Sequence, residues 1–394
     1  MKKHLSLFLL CLNFSLVSAL TWGQNEKTES LKNEVIEVLR EQILNEADWA
    51  LQQEPITVTT ERAERSKGGI NDFYSEGDYW WPNPEDPDGP YIQKDGETNP
   101  ENFTAHREAM IRLSRIIGSL ASAYEITGDE KYVIHAFLHL NSWFLNKETM
   151  MNPSLNYAQA IQGRVTGRGI GIIDTIHLME VAQGLLVMQK AIEANAEITR
   201  GVKHWFSEYL EWLTTHPFGL EEMNWKNNHS TSWVMQVGSF SRLTENKVLL
   251  EFCRDRYREV LLPRQMADNG SFPLELERTK PYGYSLFNLD AMTTLVHILS
   301  DKNHDLWNYQ TDEGKSIKKG IEFLYPFVFE KEKWPFQKDV MYWENWPVAH
   351  PFLLFGAEEF KNSKWMEAWK SMEHKPEEEE VLRNLPIRNP VIWL

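Results

Sequence analysis

From about residue 104 to the C-terminus, one helical pattern follows another. Apolar residues recur three and four positions apart, which predicts helices, and the alternation typical of strands is nearly absent. Short turns such as "TGDEKY" (127–132) and "TENKVL" (244–249) join helices into pairs of roughly forty residues, in the range of helical-hairpin repeats. The pairs share no consensus residues, which argues against an open solenoid. We therefore predict an all-α fold: an (α/α) toroid of roughly six to seven helical hairpins, an incomplete barrel with a cleft formed by loops at one end.

Ahead of this region, residues 31–53 show helical spacing, and residues 68–103 are rich in Pro, Gly, Asp and Asn. That composition predicts turns, and so long a loop inside a compact domain is typically functional. The chain also contains 16 Trp, 19 Phe and 13 Tyr, an unusually large number of rings. Aromatic rings fill cores, and their flat faces also suit the stacking of sugars. We predict that Tyr79, Trp80 and Trp81 in this loop contact a substrate.

The first residues, "MKKHLSLFLLCLNFSLVSAL", combine two lysines with an apolar run that ends in small residues. This pattern is typical of a signal peptide and too short for a membrane anchor. We predict a signal peptide over residues 1–19, with cleavage as late as residue 24, and a single toroid domain over residues 20–394. The protein is then exported to the periplasm or the cell exterior, without membrane insertion. Because Cys11 lies in the signal, Cys253 has no partner for an intramolecular disulfide.

The formal net charge of −16 argues against nucleic acid as a partner, because phosphate binding needs a basic surface. An anionic substrate is compatible with this charge if its pocket is locally positive. The sequence contains no H-E-x-x-H motif and no cysteine cluster, so we expect no metal and no other cofactor. It also lacks a serine-nucleophile signature. These features leave the oligomeric state open.

The first candidate site lies in "NWKNNHSTSWVMQ" (224–236), where two amides and a histidine stand at the predicted start of a helix. Asn227 or Asn228 is suited to cap that helix. A helix N-terminus also offers free N–H groups and partial positive charge to a carboxylate. Asn228 and His229 add hydrogen-bond donors there without adding net charge, whereas we assign Asn227 a structural role.

The second candidate lies in "ELERTKPYGYSLFNLD" (275–290), a loop that enters a helix. Arg278 and Tyr284 can both point from it into one cleft. Arg offers a planar fork for a carboxylate, and a cation beside a tyrosine lowers the tyrosine pKa from its usual value of about 10. Either residue alone is more typical of a surface or a core. Beside the Asn–His element we interpret them as functional, with Tyr282 as a substrate-binding candidate.

Further segments add candidates for binding an acidic chain. Arg164 and Arg168 lie in a glycine-spaced loop, and Arg107 lies near the start of a long predicted helix. Trp343 in "KDVMYWENWPVAHP" is a candidate sugar platform, or simply a core residue.

With these motifs the chain resembles the alginate lyase superfamily of exported (α/α)-toroid polysaccharide lyases. The resemblance rests on "NNHS" opening one helix and on Arg278 and Tyr284 entering another. Their spacing, together with "SEGDYWWPNPEDPDGPYI" and "RGIGIIDT", is most similar to polysaccharide lyase family 38. Family 5 is a more distant match, because it places its tyrosine one residue further on, where this chain has Ser285. The resemblance covers roughly residue 68 to the C-terminus.

By resemblance, Asn228 and His229 match the family's carboxylate-neutralising and catalytic pair, and Arg278 and Tyr284 match its catalytic Arg and Tyr. The implied reaction is β-elimination in a β-1,4-linked polyuronate, either mannuronate-rich alginate or glucuronan, which leaves a C4–C5 double bond. The C5 proton is weakly acidic, so neutralising the neighbouring carboxylate is the main task. Tyr284 then serves as base and acid, with Arg278 lowering its pKa. An elimination with base and acid on opposite faces would instead use His229 as the base.

Two other functions stay open from the residues alone. A glycoside hydrolase on the same toroid would need two carboxylates that flank the bond, and Asp78, Glu275 and Glu277 are candidates. A non-catalytic glycan-binding protein of a polysaccharide-uptake system would suit Trp80 and Trp81. The sequence distinguishes neither mannuronan from glucuronan nor endo from exo attack.

Overall fold

The computed structural model describes residues 31–394. The predicted signal peptide and its cleavage site, with Cys11, lie outside the described residues. The first helix, α1, covers residues 31–50. The later helices are α2 (Ala105–Thr127), α3 (Lys131–Phe144), α4 (Leu178–Met188), α5 (Ala196–Thr215), α6 (Pro217–Met223), α7 (Asn228–Leu243), α8 (Lys247–Arg256), α9 (Leu262–Gln265), α10 (Pro273–Leu276), α11 (Pro281–Leu299), α12 (Ile317–Phe329), α13 (Pro351–Phe360), α14 (Ser363–Ser371) and α15 (Glu379–Arg383).

Five helices form an inner ring, in which α2, α4, α7, α11 and α13 pack side by side in that order. Their side chains are buried on almost every face, α7 and α11 most completely. A helix that is buried all round must have neighbours on all sides, and α1, α3, α5, α8, α12 and α14 provide them. These outer helices keep one face exposed. The prediction of an all-α toroid is confirmed.

The predicted turns between paired helices are also confirmed. Gly128 ends α2 in the left-handed conformation (φ 70°) and donates its N–H to Tyr124 O, which lets α3 fold back on α2. Between α7 and α8, Asn246 caps the second helix by accepting from Leu249 N at 3.1 Å. Helix α1 runs antiparallel to α2, as its ion pairs show: Lys32 with Glu125 near one end and Glu46 with Arg115 further along.

The long segment between α1 and α2 contains only short strands, as its composition predicts. Strand β1 (Tyr74–Glu76) pairs in parallel with β4 (Tyr157–Ala160), and β2 (Trp80–Trp81) pairs antiparallel with β3 (Ile92–Gln93). Hydrogen bonds such as Ser75 Oγ to Asp174 fix the segment to the helical ring. It therefore lies as an ordered layer over one end of the ring.

The C-terminal residues fill the inside of the ring. The 3₁₀ turn Pro390–Trp393 packs on α2 and α4, where Gln183 Nε2 donates to Ile392 O at 2.6 Å. His297 at the end of α11 bonds Trp393 O at 2.9 Å. The turn therefore lies towards the end of α11, away from the start of that helix. Over residues 31–394, no single helix is long and apolar enough to cross a membrane. One bent pair of helices, Gly169–Thr175 with Leu178–Met188, has the length and composition for a span, and that is its only membrane-like feature.

Candidate active site

A cleft of about 540 Å³ lies where the layer over the ring meets the starts of α7 and α11 and the end of α15. Seven of the residues proposed from the sequence line it: Tyr79, Trp80, Arg168, Asn228, His229, Arg278 and Tyr284. The structure thus brings together residues that lie more than 200 positions apart in the chain.

One wall of the cleft is the start of α7, where the two adjacent asparagines have separate tasks. Asn227 caps the helix by accepting from His229 N at 3.4 Å. Asn228 is buried, and its backbone N and Nδ2 donate to the two carboxylate oxygens of Glu275 at 2.8 Å each. Burial raises the pKa of Glu275, while the bonds from Asn228 act in the opposite direction. Because Nδ2 carries two hydrogens, one stays available to a ligand.

The imidazole of His229 is oriented by a second buried carboxylate. Its Nδ1 lies 2.7 Å from Glu222 Oε1, in the helix just before α7. Burial raises the pKa of Glu222, and His229 lowers it. The bond to Glu222 leaves Nε2 as the ring nitrogen presented to the cleft. Trp225, 41% exposed, stands edge-on to the imidazole with ring centroids 5.9 Å apart.

The opposite wall centres on Tyr284, in the first turn of α11. The hydroxyls of Tyr284 and Tyr79 share a hydrogen bond of 2.7 Å, and Arg278 Nη2 donates to Tyr284 at 3.2 Å. The guanidinium also lies over the Tyr284 ring, 4.3 Å from its centroid. Asp95 holds it in place with an ion pair of 2.8 Å. Two hydrogen bonds thus meet at the Tyr284 hydroxyl.

The start of α11 is itself fixed by a carboxylate. Asp339 accepts the N–H groups of Tyr282 and Gly283 at 2.8 Å each, as expected at a helix N-terminus. Burial raises the pKa of Asp339 to about 6. These bonds set the direction in which Tyr284 leaves the helix.

The prediction of a lowered tyrosine pKa is wrong for the free protein. Burial raises the pKa of Tyr284 well above its usual value, and the neighbouring Tyr79 adds to the rise. Lys280 and Arg278 act in the opposite direction without overcoming burial. The two cations therefore limit the rise rather than reverse it.

Lys280 was missed by the sequence analysis. Its ammonium is buried among three rings, 5.0 Å from the centroid of Tyr79, 5.4 Å from Tyr284 and 5.2 Å from Tyr342. It forms an ion pair with Glu380 of α15. Its place in "RTK" beside Arg278 is the only signal in the sequence, and nothing there indicates burial.

Gln159 was also missed, and it shapes the floor of the cleft. Its backbone is left-handed (φ 48°), a strained conformation that non-glycine residues adopt mainly where the structure requires it. The Arg168 guanidinium donates to Gln159 O at 2.9 Å and to Oε1 at 3.1 Å. Within residues 31–394, Arg168 has no carboxylate partner within 4 Å, so its charge is available to an anion.

Several predicted substrate contacts lie elsewhere. Tyr282 is buried, because its side chain points from α11 into the core and donates to Phe327 O at 2.9 Å. Trp343 is buried against it, with ring centroids 5.2 Å apart. Arg107 is buried and paired with Asp78 at 2.9 Å. Trp81 points away from the cleft and donates to Glu97 O, and Arg164 lies in an adjacent groove.

The carboxylates near the cleft do not form the pair that a glycoside hydrolase needs. Asp78 is held by Arg107 at 2.9 Å and by Arg383 at 2.7 Å. Burial favours a higher pKa for Asp78, but the two guanidinium groups bring it below its usual value. Glu275 is engaged by Asn228, and Glu277 is exposed. No group of three or more His, Cys, Asp or Glu side chains in the described chain could hold a metal ion.

Comparisons with known proteins identify the family and the fold of the chain. The family model described as Alginate lyase matches residues 57–334. The chain is similar to an alginate lyase from Bacteroides ovatus, with 30% identity over 94% of this chain and 97% of that one and a TM-score of 0.81. It also shares the fold of alginate lyase A1-III from Sphingomonas species A1 (14% identity, 81% and 87% coverage, TM-score 0.53). A variant of A1-III complexed with a tetrasaccharide gives 16% identity, 78% and 81% coverage and a TM-score of 0.52. No curated protein matches the chain.

Proposed function

The chain belongs to the alginate lyase family, and from that premise we propose that it cleaves 1,4-linked polyuronates, mannuronate-rich alginate first among them, by β-elimination. The protein is a polysaccharide lyase. The observation that carries the proposal for its site is the Tyr284 hydroxyl, hydrogen-bonded to both Tyr79 and Arg278 in the same cleft as Asn228 and His229.

In this reaction, the residues of the α7 wall neutralise the uronate carboxylate. Removing the C5 proton builds negative charge towards that carboxylate, so hydrogen-bond donors placed there stabilise the enolate-like intermediate. Asn228 offers its second Nδ2 hydrogen, and a protonated His229 offers Nε2–H. The buried carboxylates of Glu275 and Glu222 fix both side chains before a substrate arrives, so little reorganisation is needed.

Tyr284 transfers the proton in this reaction. As a phenolate it takes the C5 proton, the C4–O4 bond breaks, and the resulting phenol returns a proton to the departing O4 oxygen. One group can perform both steps where the proton and O4 leave from the same face of the ring. The hydrogen bond from Arg278 stabilises the phenolate oxygen. The Tyr79 hydroxyl, 2.7 Å away, can donate to that oxygen only once Tyr284 has lost its proton. An elimination across opposite faces, as in guluronate, would use neutral His229, with Nε2 as the acceptor.

The anionic substrate agrees with the cations of the cleft. Arg168 and Arg278 line it in a protein whose formal net charge is −16. Asp95 pairs with Arg278, whereas Arg168 has no carboxylate within 4 Å in residues 31–394, so Arg168 is the cation that can pair with a uronate carboxylate. We propose export through residues 1–19, which the N-terminal sequence of the secreted protein tests.

The experiment is to incubate the purified protein separately with polymannuronate, polyguluronate and glucuronan. Ultraviolet absorbance reports the unsaturated product, and mass spectrometry identifies its size. We expect absorbance to rise fastest on polymannuronate. A release of reducing ends without absorbance would contradict elimination and favour hydrolysis. Faster product formation on glucuronan would overturn the substrate while leaving the reaction in place.

A further inference from the structure

Two further grooves adjoin the cleft. The Arg164 groove, of about 560 Å³, lies between residues 65–67 and the loop 160–167. The Arg264 groove, of about 220 Å³, lies between the end of α6 and the region around α9, and it includes Lys226, Arg256 and Arg264. Neither groove takes part in the mechanism proposed above.

Helix α6 shows how the three spaces are ordered. Phe218 in its first turn lines the Arg164 groove, Glu221 near its middle lines the cleft, and Asn224 just after its end lines the Arg264 groove. At 1.5 Å per residue, the helix covers about 10 Å between the two grooves. The cleft therefore lies between the grooves.

A tryptophan marks each passage out of the cleft. Trp225 lines both the cleft and the Arg264 groove. On the other side, the Trp80 ring lines the cleft, and the Arg164 guanidinium lies 5.2 Å from its centroid. Flat rings in these positions suit sugar units that pass from one space into the next.

The Arg264 groove is positively charged and not neutralised. Among residues 31–394, none of Lys226, Arg256 and Arg264 has a carboxylate within 4 Å. Arg256 binds Met223 O and Asn224 Oδ1, and its buried Nε has no hydrogen-bond partner in the described chain. Burial lowers the pKa of Arg256, and the like charge of Arg264 lowers it further. An anion in this groove would relieve that repulsion.

The Arg164 groove has the same character. Lys67 and Arg164 are exposed, and neither has a carboxylate within 4 Å in the part of the chain that is described. Arg164 is held by a bond from Nε to Tyr91 O at 2.7 Å, which leaves its terminal nitrogens available. Arg65 completes the group, although it pairs with the buried Glu76 at 2.6 Å.

We propose that the two grooves bind uronate units on both sides of the reacting unit, so that a polyuronate chain crosses Trp80 and Trp225 and is held at its interior. This inference rests on the proposed function for the identity of the ligand. It adds that the enzyme engages a chain longer than the cleft alone accommodates. The carboxylates of the outer units pair with the free cations of the grooves.

Binding is tested apart from turnover, in a Tyr284→Phe protein, by calorimetry with oligomannuronates. One oligomer is short enough for the cleft alone and one is long. Two double variants remove the free charges: Lys67→Gln/Arg164→Gln and Lys226→Gln/Arg264→Gln. Each exposed charge pair contributes modestly, so we expect each double variant to weaken binding of the long oligomer about three- to tenfold. The loss for the short oligomer should be clearly smaller.

The matched control is Lys247→Gln/Lys302→Gln, which removes two exposed lysines that line neither groove. Equal losses for short and long oligomers, or losses no larger than in the control, overturn the inference. Equal binding of the short and the long oligomer by the Tyr284→Phe protein itself would also overturn it. If the wild-type chain then forms unsaturated product, the proposed function stands without the grooves. If the long oligomer binds through the grooves but the wild-type chain forms no unsaturated product from it, the groove inference stands and the proposed cleavage of polymannuronate is overturned.

Discussion

The wall of the cleft that carries Asn228 and His229 is made by helices close together in the chain, whereas the wall that carries Tyr284 is gathered from distant segments. His229 is oriented by Glu222, 7 residues away, and Asn228 by Glu275, 47 residues away. In the other wall, Tyr79 lies 205 residues from Tyr284, and Asp95 lies 183 residues from Arg278.

This difference separates two ways of preparing a site. In the α7 wall, one buried carboxylate fixes each polar side chain, so the donors are oriented by helices of the ring itself. In the Tyr284 wall, cations and a second tyrosine act on one phenol, and they come together only when the layer over the ring and α15 have docked. We therefore expect substitutions in the first wall to change transition-state stabilisation, and those in the second to change the protonation of Tyr284.

The largest effect should follow from Tyr284→Phe. The substitution keeps the ring and removes the hydroxyl that transfers the proton. General acid–base groups contribute about 10²- to 10⁴-fold, so we expect kcat to fall by that factor while the fold is unchanged. The rate of absorbance increase on polymannuronate measures it. Activity near the wild-type level would assign the proton transfer to another residue.

Tyr282→Phe is the matched control. Its hydroxyl lies in the core and donates to Phe327 O, so the substitution removes one buried hydrogen bond outside the cleft. We expect a loss of about 1 kcal/mol in the free energy of unfolding and a far smaller change in kcat than for Tyr284→Phe. Equal losses of kcat in both variants would point to a general disturbance of α11.

The two asparagines of the α7 wall provide the second prediction. In Asn228→Ala the donor to the uronate carboxylate is lost, and removing one such donor typically costs about 10²- to 10³-fold in kcat. In Asn227→Ala only the helix cap is lost, at about 1 kcal/mol of folding stability. Steady-state kinetics and thermal unfolding of both proteins separate the two effects.

Asn228→Ala also removes one of the two donors to the buried Glu275, the Nδ2 group, while the backbone N–H of residue 228 remains. The stability of this variant must therefore be measured alongside its activity. The comparison fails if Asn227→Ala loses as much kcat as Asn228→Ala. In that case the adjacent amides act together, and the division into a cap and a donor is wrong.

The same contrast between walls explains what could be predicted from the sequence. Helical periodicity and short turns predict the ring correctly, because both are local properties of the chain. Asn228 and His229 belong to one local motif at a helix start, and Arg278 and Tyr284 enter one helix. Such local patterns can be recognised without knowing the fold.

Burial and long-range contacts could not be predicted in this way. A tyrosine beside an arginine suggests a lowered pKa, but burial and the neighbouring Tyr79 raise it, and Tyr79 comes from far along the chain. Tyr282 illustrates the same limit: it lies two residues from Tyr284, and helix geometry turns its side chain into the core. Lys280 gives no sign in the sequence of its place among three rings.

The smallest predicted effect tests the Tyr284 wall through its charges. If Tyr284 is the base, kcat/KM rises with pH as the phenol loses its proton. Lys280 and Arg278 lower the pKa of Tyr284, and Tyr79 raises it. Glu380 partly neutralises Lys280 and raises the pKa of Tyr79. Lys280→Gln should therefore move the rising limb of the pH profile to higher pH, and Glu380→Gln should move it to lower pH.

The opposite signs make this pair informative. Breaking a buried ion pair is destabilising from either side, so a merely structural role would lower activity in both variants without moving the limb. Thermal unfolding identifies variants that have lost their fold, and kcat/KM is then compared only over the pH range in which each protein is folded. Below the limb, the phenolate fraction falls as the pKa of Tyr284 rises, so Glu380→Gln should be the more active protein there and Lys280→Gln the less active. A shift of both limbs in the same direction would mean that Lys280 does not act on Tyr284 through its charge.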